Sequence, residues 1–529
     1  MKGSSHRLDC RAHGLGPLVV SSILFGLGAL LTGAVSLPAQ ETAQETAQGS
    51  TAAQPASRPR SLVISLEDAL RMAAGESESV WVAEAGVMRA VGNQRIARSG
   101  FFPQLNGTAS YTRTLRSQFE DLNFGAPAGG GEEEEPIDLP FGRENQYSLG
   151  LSLSQLIFDG GQTRARNRAA RAQRRSAEIG VDSAVAQTLL DVTQAYFDAQ
   201  LGDRLVQIAE ASLAQSEETL RVTDVAFQVG DRAEFDVLRA RVARDNQIPV
   251  LIRQRTERAE AYLRLKQLLE VPAEDDLVLT TGVGETVPRF ATASDASAEN
   301  RAPVRQAAET VEASEAQVDQ ARGQRLPLVQ LTSQYAPVAY PTSGFPGVDD
   351  FQKDWSVTLG LSIPILTWGR LRGNVMVAEG TLSEAQARLE QAREAAELEA
   401  RIARNDLSEA EAALTSNTAT VEEAERALQI AQVRFREGIS SQIELADSRL
   451  LFEQAQVNRA QALRDVQVAR ARLALLRDLP LGGGSGFIAP QQIQQTPTPQ
   501  TPTQSTAATS PGLSAGTVSG VSGAGSPLP

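Results

Sequence analysis

Two stretches of about 67 residues, from Gln162 to Gln228 and from Arg370 to Arg436, contain no proline, and in both the apolar residues recur at helical spacing. In the first they fall at Val181, Val185, Leu189, Val192 and Tyr196, then at Leu201, Leu205 and Ile208. In the second, steps of three and four alternate through Val375, Ala378, Leu382, Ala385, Leu389, Ala392 and Ala396, then Ala403, Leu407, Ala410 and Leu414, and finally Val421, Ala424, Leu428, Ala431 and Phe435. That is a coiled-coil repeat, interrupted at Glu399 and Asn417. Its many alanines let neighbouring helix backbones approach closely. Each stretch, as one helix, extends about 100 Å, a length no compact domain requires.

Both stretches end in the same motif. "AFQVGDRAEFDVLRARVARDNQ" (226–247) is echoed by "RFREGISSQIELADSRLLFEQAQ" (434–456), with an aromatic, an intervening pair and a glycine in each. Gly230 and Gly438 mark turns between helices, where a residue that tolerates positive φ is needed. Shorter helices are expected to return after the turns, from about Phe235 to Leu269 and Gln442 to Leu476. Others lie upstream, at about Leu66 to Ser99 and Arg301 to Arg322. In the first half an upstream helix of roughly 34 residues stacked on a returning one of roughly 35 matches one long helix, and each half of the chain can then form its own hairpin. Pro249 should kink the first returning helix.

Between helices the apolar period changes to two. "YSLGLSLSQLI" (147–157) sets Tyr147, Leu149, Leu151, Leu153 and Ile157 against Ser148, Gly150, Ser152 and Ser154. "WSVTLGLSIPIL" (355–366) repeats the pattern, and fainter partners lie near Leu105–Thr114 and Leu328–Tyr335. Segments of this length and alternation suit either an ordinary half-buried hairpin or the strands of a membrane barrel. Of the 25 aromatic residues, 14 lie in 101–158 and 335–368, and that clustering favours the barrel, whose interfaces carry aromatic girdles. Four strands cannot close on themselves, and an open edge in lipid leaves backbone groups unpaired, so such a chain must oligomerise.

The first 39 residues read as a signal peptide: Lys2, Arg7 and Arg11 precede an apolar run from Leu18 to Val35, with Ala34, Ser36 and Ala39 as small residues for cleavage. A membrane anchor is the alternative. The only cysteine, Cys10, and both histidines, His6 and His13, lie within that leader. The exported chain therefore has no disulfide, no thiolate or imidazole metal site and no histidine-based nucleophile, and no catalytic, cofactor or metal residues are assigned. Glycine-rich stretches are not followed by Lys-Ser or Lys-Thr, so there is no phosphate-cradling loop. A net charge of -14 argues against a nucleic-acid partner. "GGGEEEEP" (129–136) reads as a solvated loop and the stretch after Leu479 as a low-complexity, disordered tail.

From about Leu62 to Leu479 the chain resembles the TolC-like outer membrane factor family, the trimeric tunnels of Gram-negative efflux and type I secretion systems. The residues that carry the resemblance are the duplication, "FFPQL" (101–105) and "RLPLV" (325–329) leading into each strand pair, "LIFDGGQTRAR" (156–166) and "ILTWGRLRGN" (365–374) leading out, "LLDVTQAYFDAQL" (189–201) and the two echoed motifs. Pro103, Gly160, Pro327 and Gly369 stand at those junctions. The resemblance implies long-helix hairpins forming a periplasmic α-barrel, continuous with a twelve-stranded outer-membrane β-barrel to which each of three chains gives four strands. It divides the chain into a flexible segment at 40–61, a first repeat at 62–270 (strand pair about 103–157, helix hairpin 162–269), an equatorial linker at 271–300, a second repeat at 301–479 (strand pair about 328–366, helix hairpin 370–476) and the tail at 480–529.

The resemblance also implies partners: a periplasmic adaptor, an inner-membrane pump of RND or ABC type reached through it, and outer-membrane lipid. The adaptor would dock on the hairpin tips, Val229, Gly230, Asp231 and Arg232 in one and Glu437, Gly438, Ile439 and Ser440 in the other. At the tunnel entrance Glu444 and Asp447, three apart and so on one helix face, would form a ring of acids, with Asp236 and Arg239 at the matching offsets of the first motif. The bland alternative for these four is a solvated helix face. Ser440 stands where some family members carry a basic residue, so a closing contact made there is expected to be lost. A secreted structural coiled coil without a pore would account for the heptads but not for paired strand segments with clustered aromatics.

Overall fold

The structure, a computed structural model, describes residues 61–116, 144–285, 287–290, 297–341 and 344–482. The expected leader, most of the 40–61 segment, "GGGEEEEP" and the tail beyond Gly482 lie outside those residues. In chain order come β1 (Ser61–Ile64), α1 (Leu66–Glu76), α2 (Glu78–Ser99), β2 (Gln104–Arg113), β3 (Asn145–Phe158), α3 (Gln162–Gln228), α4 (Glu234–Leu268), β4 (Asp276–Leu279), α5 (Ala302–Gly323), β5 (Leu328–Tyr335), β6 (Val338–Ala339), β7 (Trp355–Ser362), α6 (Arg370–Arg436) and α7 (Gln442–Leu475).

The long helices α3 and α6 have 67 residues each. Every position of the predicted α6 seam is buried or half-buried, as close packing of an alanine-rich stripe requires. Helix α4 runs from Glu234 to Leu268 with Pro249 inside it.

The expected single helix from Leu66 to Ser99 is two helices. Ser77 adopts an extended backbone (φ -69°, ψ 127°) and ends α1. A second start signal sits just upstream, where Ser65 and Asp68 form a reciprocal capping box at the first turn of α1. Strand β7 stops at Ser362 rather than Leu366 because Pro364, having no N–H, cannot extend the ladder.

Ion pairs and hydrogen bonds show which helices lie side by side. Near the sheet, α3 meets α5 through Arg168–Asp319 and Arg175–Glu309, and α5 meets α6 through Arg322–Glu379. Toward the turns, α3 meets α4 through Asp203 and Tyr262, and α7 through Asp198–Arg464 and Ser212–Glu453, while α7 meets α6 through Arg470–Glu411. Helix α2 packs on α3 beside the sheet. The wall is therefore four helices wide at both levels, α2–α3–α5–α6 above and α4–α3–α7–α6 below, and only α3 and α6 cross from one level to the other.

Where the levels meet, the equatorial linker supplies β4, which pairs in parallel with β1, Ser61 opposite Asp276 and Ile64 opposite Leu279. This ribbon and α1 rest on α3 in the main apolar cluster, built from Ile64, Leu66, Leu70, Leu189, Val192, Tyr196, Phe197, Leu265 and Leu277. Tyr196 lies fully buried there; its hydroxyl accepts from the Thr281 N–H (2.9 Å) and donates to the Ile64 carbonyl (3.3 Å). One phenol thus satisfies backbone groups at the ends of both short strands.

Candidate functional site

The four principal strands form one antiparallel sheet in the order β2-β3-β5-β7, with β6 beside β3. Its registers place Leu105 opposite Leu153, Leu153 opposite Ser333 and Ser333 opposite Val357, so one face runs across all four strands. On that face Leu149, Leu151 and Leu153 are more exposed than the intervening Ser148, Gly150 and Ser152, and Trp355, Val357, Leu359 and Leu361 are all exposed. On β3 the burial order is the reverse of that in a water-soluble half-buried sheet, while β2 and β7 are exposed on both faces and on β5 Gln330 and Gln334 are the exposed residues. Tyr111 and Tyr147 pack with ring centroids 4.7 Å apart, and the Tyr111 hydroxyl donates to Asn145 Oδ1 (2.8 Å), at the end of the sheet far from the helices.

At the near end, Pro103 and Pro327 stand just before β2 and β5. Gly369 (φ +88°) caps the start of α6, and its counterpart at the start of α3 is Gly161 (φ +86°), not Gly160. Gly160 is required by close approach instead. A Cβ there would lie 2.5 Å from the Gly323 carbonyl oxygen, so the β3–α3 turn crosses the end of α5 backbone to backbone. Asp159 accepts from the N–H groups of Gly161 (3.0 Å) and Thr163 (2.6 Å) and occupies the helix end.

At the opposite end both turns close in the same way. Gly230 (φ +82°) follows α3, its N–H donating to the Phe227 carbonyl while the Asp231 N–H reaches back to Ala226; Gly438 (φ +72°) follows α6, with Gly438 N–H to Phe435 and Ile439 N–H to Arg434. These are Schellman caps, and the glycine supplies the left-handed residue each requires. Val229 and Ile439 project at the tips, 75% and 68% exposed. Asp231, Glu437 and both glycines are exposed as well, whereas Ser440 is buried and Arg232 half-buried.

The Arg232 guanidinium sits 4.7 Å from the centre of the Phe435 ring and donates to the Phe435 carbonyl (3.1 Å), joining the two tips of the chain. Phe235 and Ile443, equally spaced after the two glycines and both more than half exposed, belong to the same tips. The twofold echo could have identified them.

Of the four residues expected at the entrance, Glu444 lies in the first turn of α7 with Oε1 3.5 Å from Arg434 Nη1, and Asp447 is exposed one turn on. Asp236 and Arg239 are half-buried at the start of α4, and Arg239 forms no ion pair among the described residues. No group of three or more acids, histidines or cysteines able to hold a metal occurs among the described residues.

The profile of the family described as "Outer membrane efflux protein" matches residues 69–270 and 293–477. The chain belongs to the outer membrane efflux protein family. Among curated proteins it is similar to Nodulation protein T of Rhizobium leguminosarum bv. viciae, 27% identical over 357 residues that cover 66% of this chain and 71% of that protein. It is similar also to the outer membrane efflux protein BepC of Brucella suis biovar 1, 23% identical over 409 residues, 77% and 83% of the two chains. Among solved structures, the Campylobacter jejuni CmeC outer membrane channel superposes with a TM-score of 0.66 at 19% identity, covering 78% of this chain and 86% of that one. The fold of this outer membrane efflux family member is thus that of TolC-like channels, and its place is the outer membrane. None of its helices, among the described residues, is long and apolar enough to cross a membrane.

Proposed function

We propose that three copies of this chain form a passive exit duct, through which substrates delivered at the hairpin tips leave the cell without any reaction being catalysed. The supporting observation is the sheet with two unpaired edges, β2 and β7. Because four strands alternate in direction, β7 of one copy and β2 of the next are antiparallel, and the pattern continues around a ring unbroken. One copy is far short of the eight strands of the smallest barrels, and kinship with TolC-like channels favours three copies and twelve strands. The exposed apolar face of the sheet meets lipid, and below it the helices, four abreast per copy, extend the wall into the periplasm.

The exposed tip residues Val229, Gly230, Asp231, Glu437, Gly438 and Ile439 are the docking surface for a periplasmic adaptor, which links the duct to an RND or ABC pump in the inner membrane. Glu444 and Asp447 then line the entrance. The test is isolation from outer membranes in mild detergent. An oligomer of three chains that conducts ions across a planar bilayer supports the duct, and a monomer recovered from the aqueous fraction refutes it.

A further inference from the structure

A cleft of about 780 Å³ opens just beneath the sheet, where α2, α3 and α5 meet. Arg98 from the last turn of α2 and Arg164, Arg168 and Arg171 from one face of α3 line it, with Phe101 beside them. The one acid in its wall, Asp319, is engaged by Arg168 (3.0 Å), which also lies 3.6 Å from Glu315. Arg98, Arg164 and Arg171 form no ion pair among the described residues. Asn167 lines the same cleft, is only 7% exposed, and its Oδ1 has no hydrogen-bond partner. That oxygen is an acceptor, which phosphate oxygens cannot satisfy, so the arginines carry the site. The start of α3 contributes nothing to an anion here, since Asp159 already takes its N–H groups.

The cleft's orientation follows from the stripe it shares with Tyr196. In steps of seven, Tyr196, Leu189, Asp182, Arg175 and Arg168 fall on one side of α3. Tyr196 faces β1 and the end of β4, and these strands, supplied by every copy, cannot fill the bore of a conducting duct. Under the duct reading the exposed Arg164 and Arg171 therefore look outward, while Arg168 turns sideways to α5. All three lie within about 15 Å of the start of α3, directly under the exposed side chains of Phe101, Phe102 and Phe158 at the base of the sheet.

We propose that this cleft binds the phosphate of an anionic phospholipid of the inner leaflet, the guanidinium groups holding the phosphate oxygens and Phe101 against the glycerol and first methylenes. The assignment rests on the outer-membrane duct reading. Its chemistry is that of any phosphate group, and the outward position just below the lipid-facing strands selects the lipid as its source.

The test uses the assembled full-length protein in bilayer discs of phosphatidylglycerol and phosphatidylcholine, released gently and weighed intact. Wild type retains about one phosphatidylglycerol per chain in preference to phosphatidylcholine. The triple variant Arg98→Gln, Arg164→Gln, Arg171→Gln keeps its trimer mass and loses that preference about tenfold or more. Where the triple variant does not assemble, Arg164→Lys with Arg171→Lys carries the test: it keeps the charge, loses the forked donors and shows a partial loss. Unchanged preference in an assembled variant overturns the proposal, as does displacement of the retained lipid by millimolar inorganic phosphate, which would make the cleft a free-anion site. A monomer mass for wild type overturns the duct reading instead.

Discussion

Arg301 Nη1 lies 2.9 Å from Glu399 Oε2, and the arginine side chain is wholly buried. Its guanidinium also reaches the carbonyls of Ala396 (3.4 Å) and Leu479 (3.2 Å). Glu399 is the acid that interrupts the apolar seam of α6, and the interruption exists to neutralise a cation delivered from the start of α5.

Removing either partner should therefore be costly. Glu399→Ala leaves a buried guanidinium unpaired and is expected to destabilise the protein by about 3–5 kcal/mol. Arg301→Met combined with Glu399→Leu is expected to recover most of that loss. Thermal unfolding of both variants checks it; equal losses in the two would show that the pair adds stability beyond its own neutralisation.

Gly160→Ala is expected to impair assembly much more than Gly230→Ala. Both positions have positive φ, which costs an alanine about 1–2 kcal/mol, but only the Gly160 methyl meets a backbone carbonyl, at 2.5 Å, while that of Gly230 meets nothing within 4 Å. The yield of detergent-resistant oligomer measures the difference.

The contact of Arg232 with the Phe435 ring and carbonyl ties one hairpin tip to the other. If that tie holds the entrance shut, Arg232→Ala removes about 1–2 kcal/mol of interaction and should raise the open fraction of single channels severalfold. An unaltered conductance record would place the closing contacts elsewhere.

Glu444 is partly compensated by Arg434 and Asp447 is not paired among the described residues. If both line the entrance, Asp447→Asn should reduce cation selectivity more than Glu444→Gln does. Reversal potentials across a salt gradient rank the two, and the opposite ranking would take Asp447 out of the entrance.

Burial raises the Asp191 carboxyl above its ordinary value, against the opposing hydrogen bond from Gln187 (2.7 Å). A carboxyl whose folded pKa lies above its unfolded one favours the folded state while protonated, and that contribution disappears as pH rises through the folded value. Asp191→Asn should therefore be more stable than wild type at neutral pH, with the gap narrowing in acid. Unfolding followed from pH 4 to 8 is the measurement; a gap that widens in acid contradicts it.

The two 67-residue helices and the tips were legible because proline absence, heptads and a written-twice glycine are local and repeated. The break at Ser77 was not, since Leu66–Ser99 has no proline and Gly75, two residues before the break, is still inside α1; there α1 packs onto α3. The β1–β4 ribbon escaped notice because "SLVI" and "DLVL" are four residues long and far apart in sequence. At the junction, Gly160 and Gly161 are adjacent and look interchangeable, and only the position of Gly323 tells them apart. Any ring formed by Glu444 and Asp447 depends on which face of α7 looks inward, and that is set by neighbouring copies rather than by spacing.

A wall in which two continuous helices each span both levels also constrains how such a chain can change length during evolution. An insertion in α3 shifts every contact beyond it, so it survives only as a whole heptad, matched in α2 or α4 on one flank and in α5 or α7 on the other. The same step must then be repeated in α6, or the two hairpins end at different depths. Tunnel length in descendants of this chain should change in jumps of about 10 Å, shared by both halves of the duplication, and single-residue gaps should collect in the connections instead.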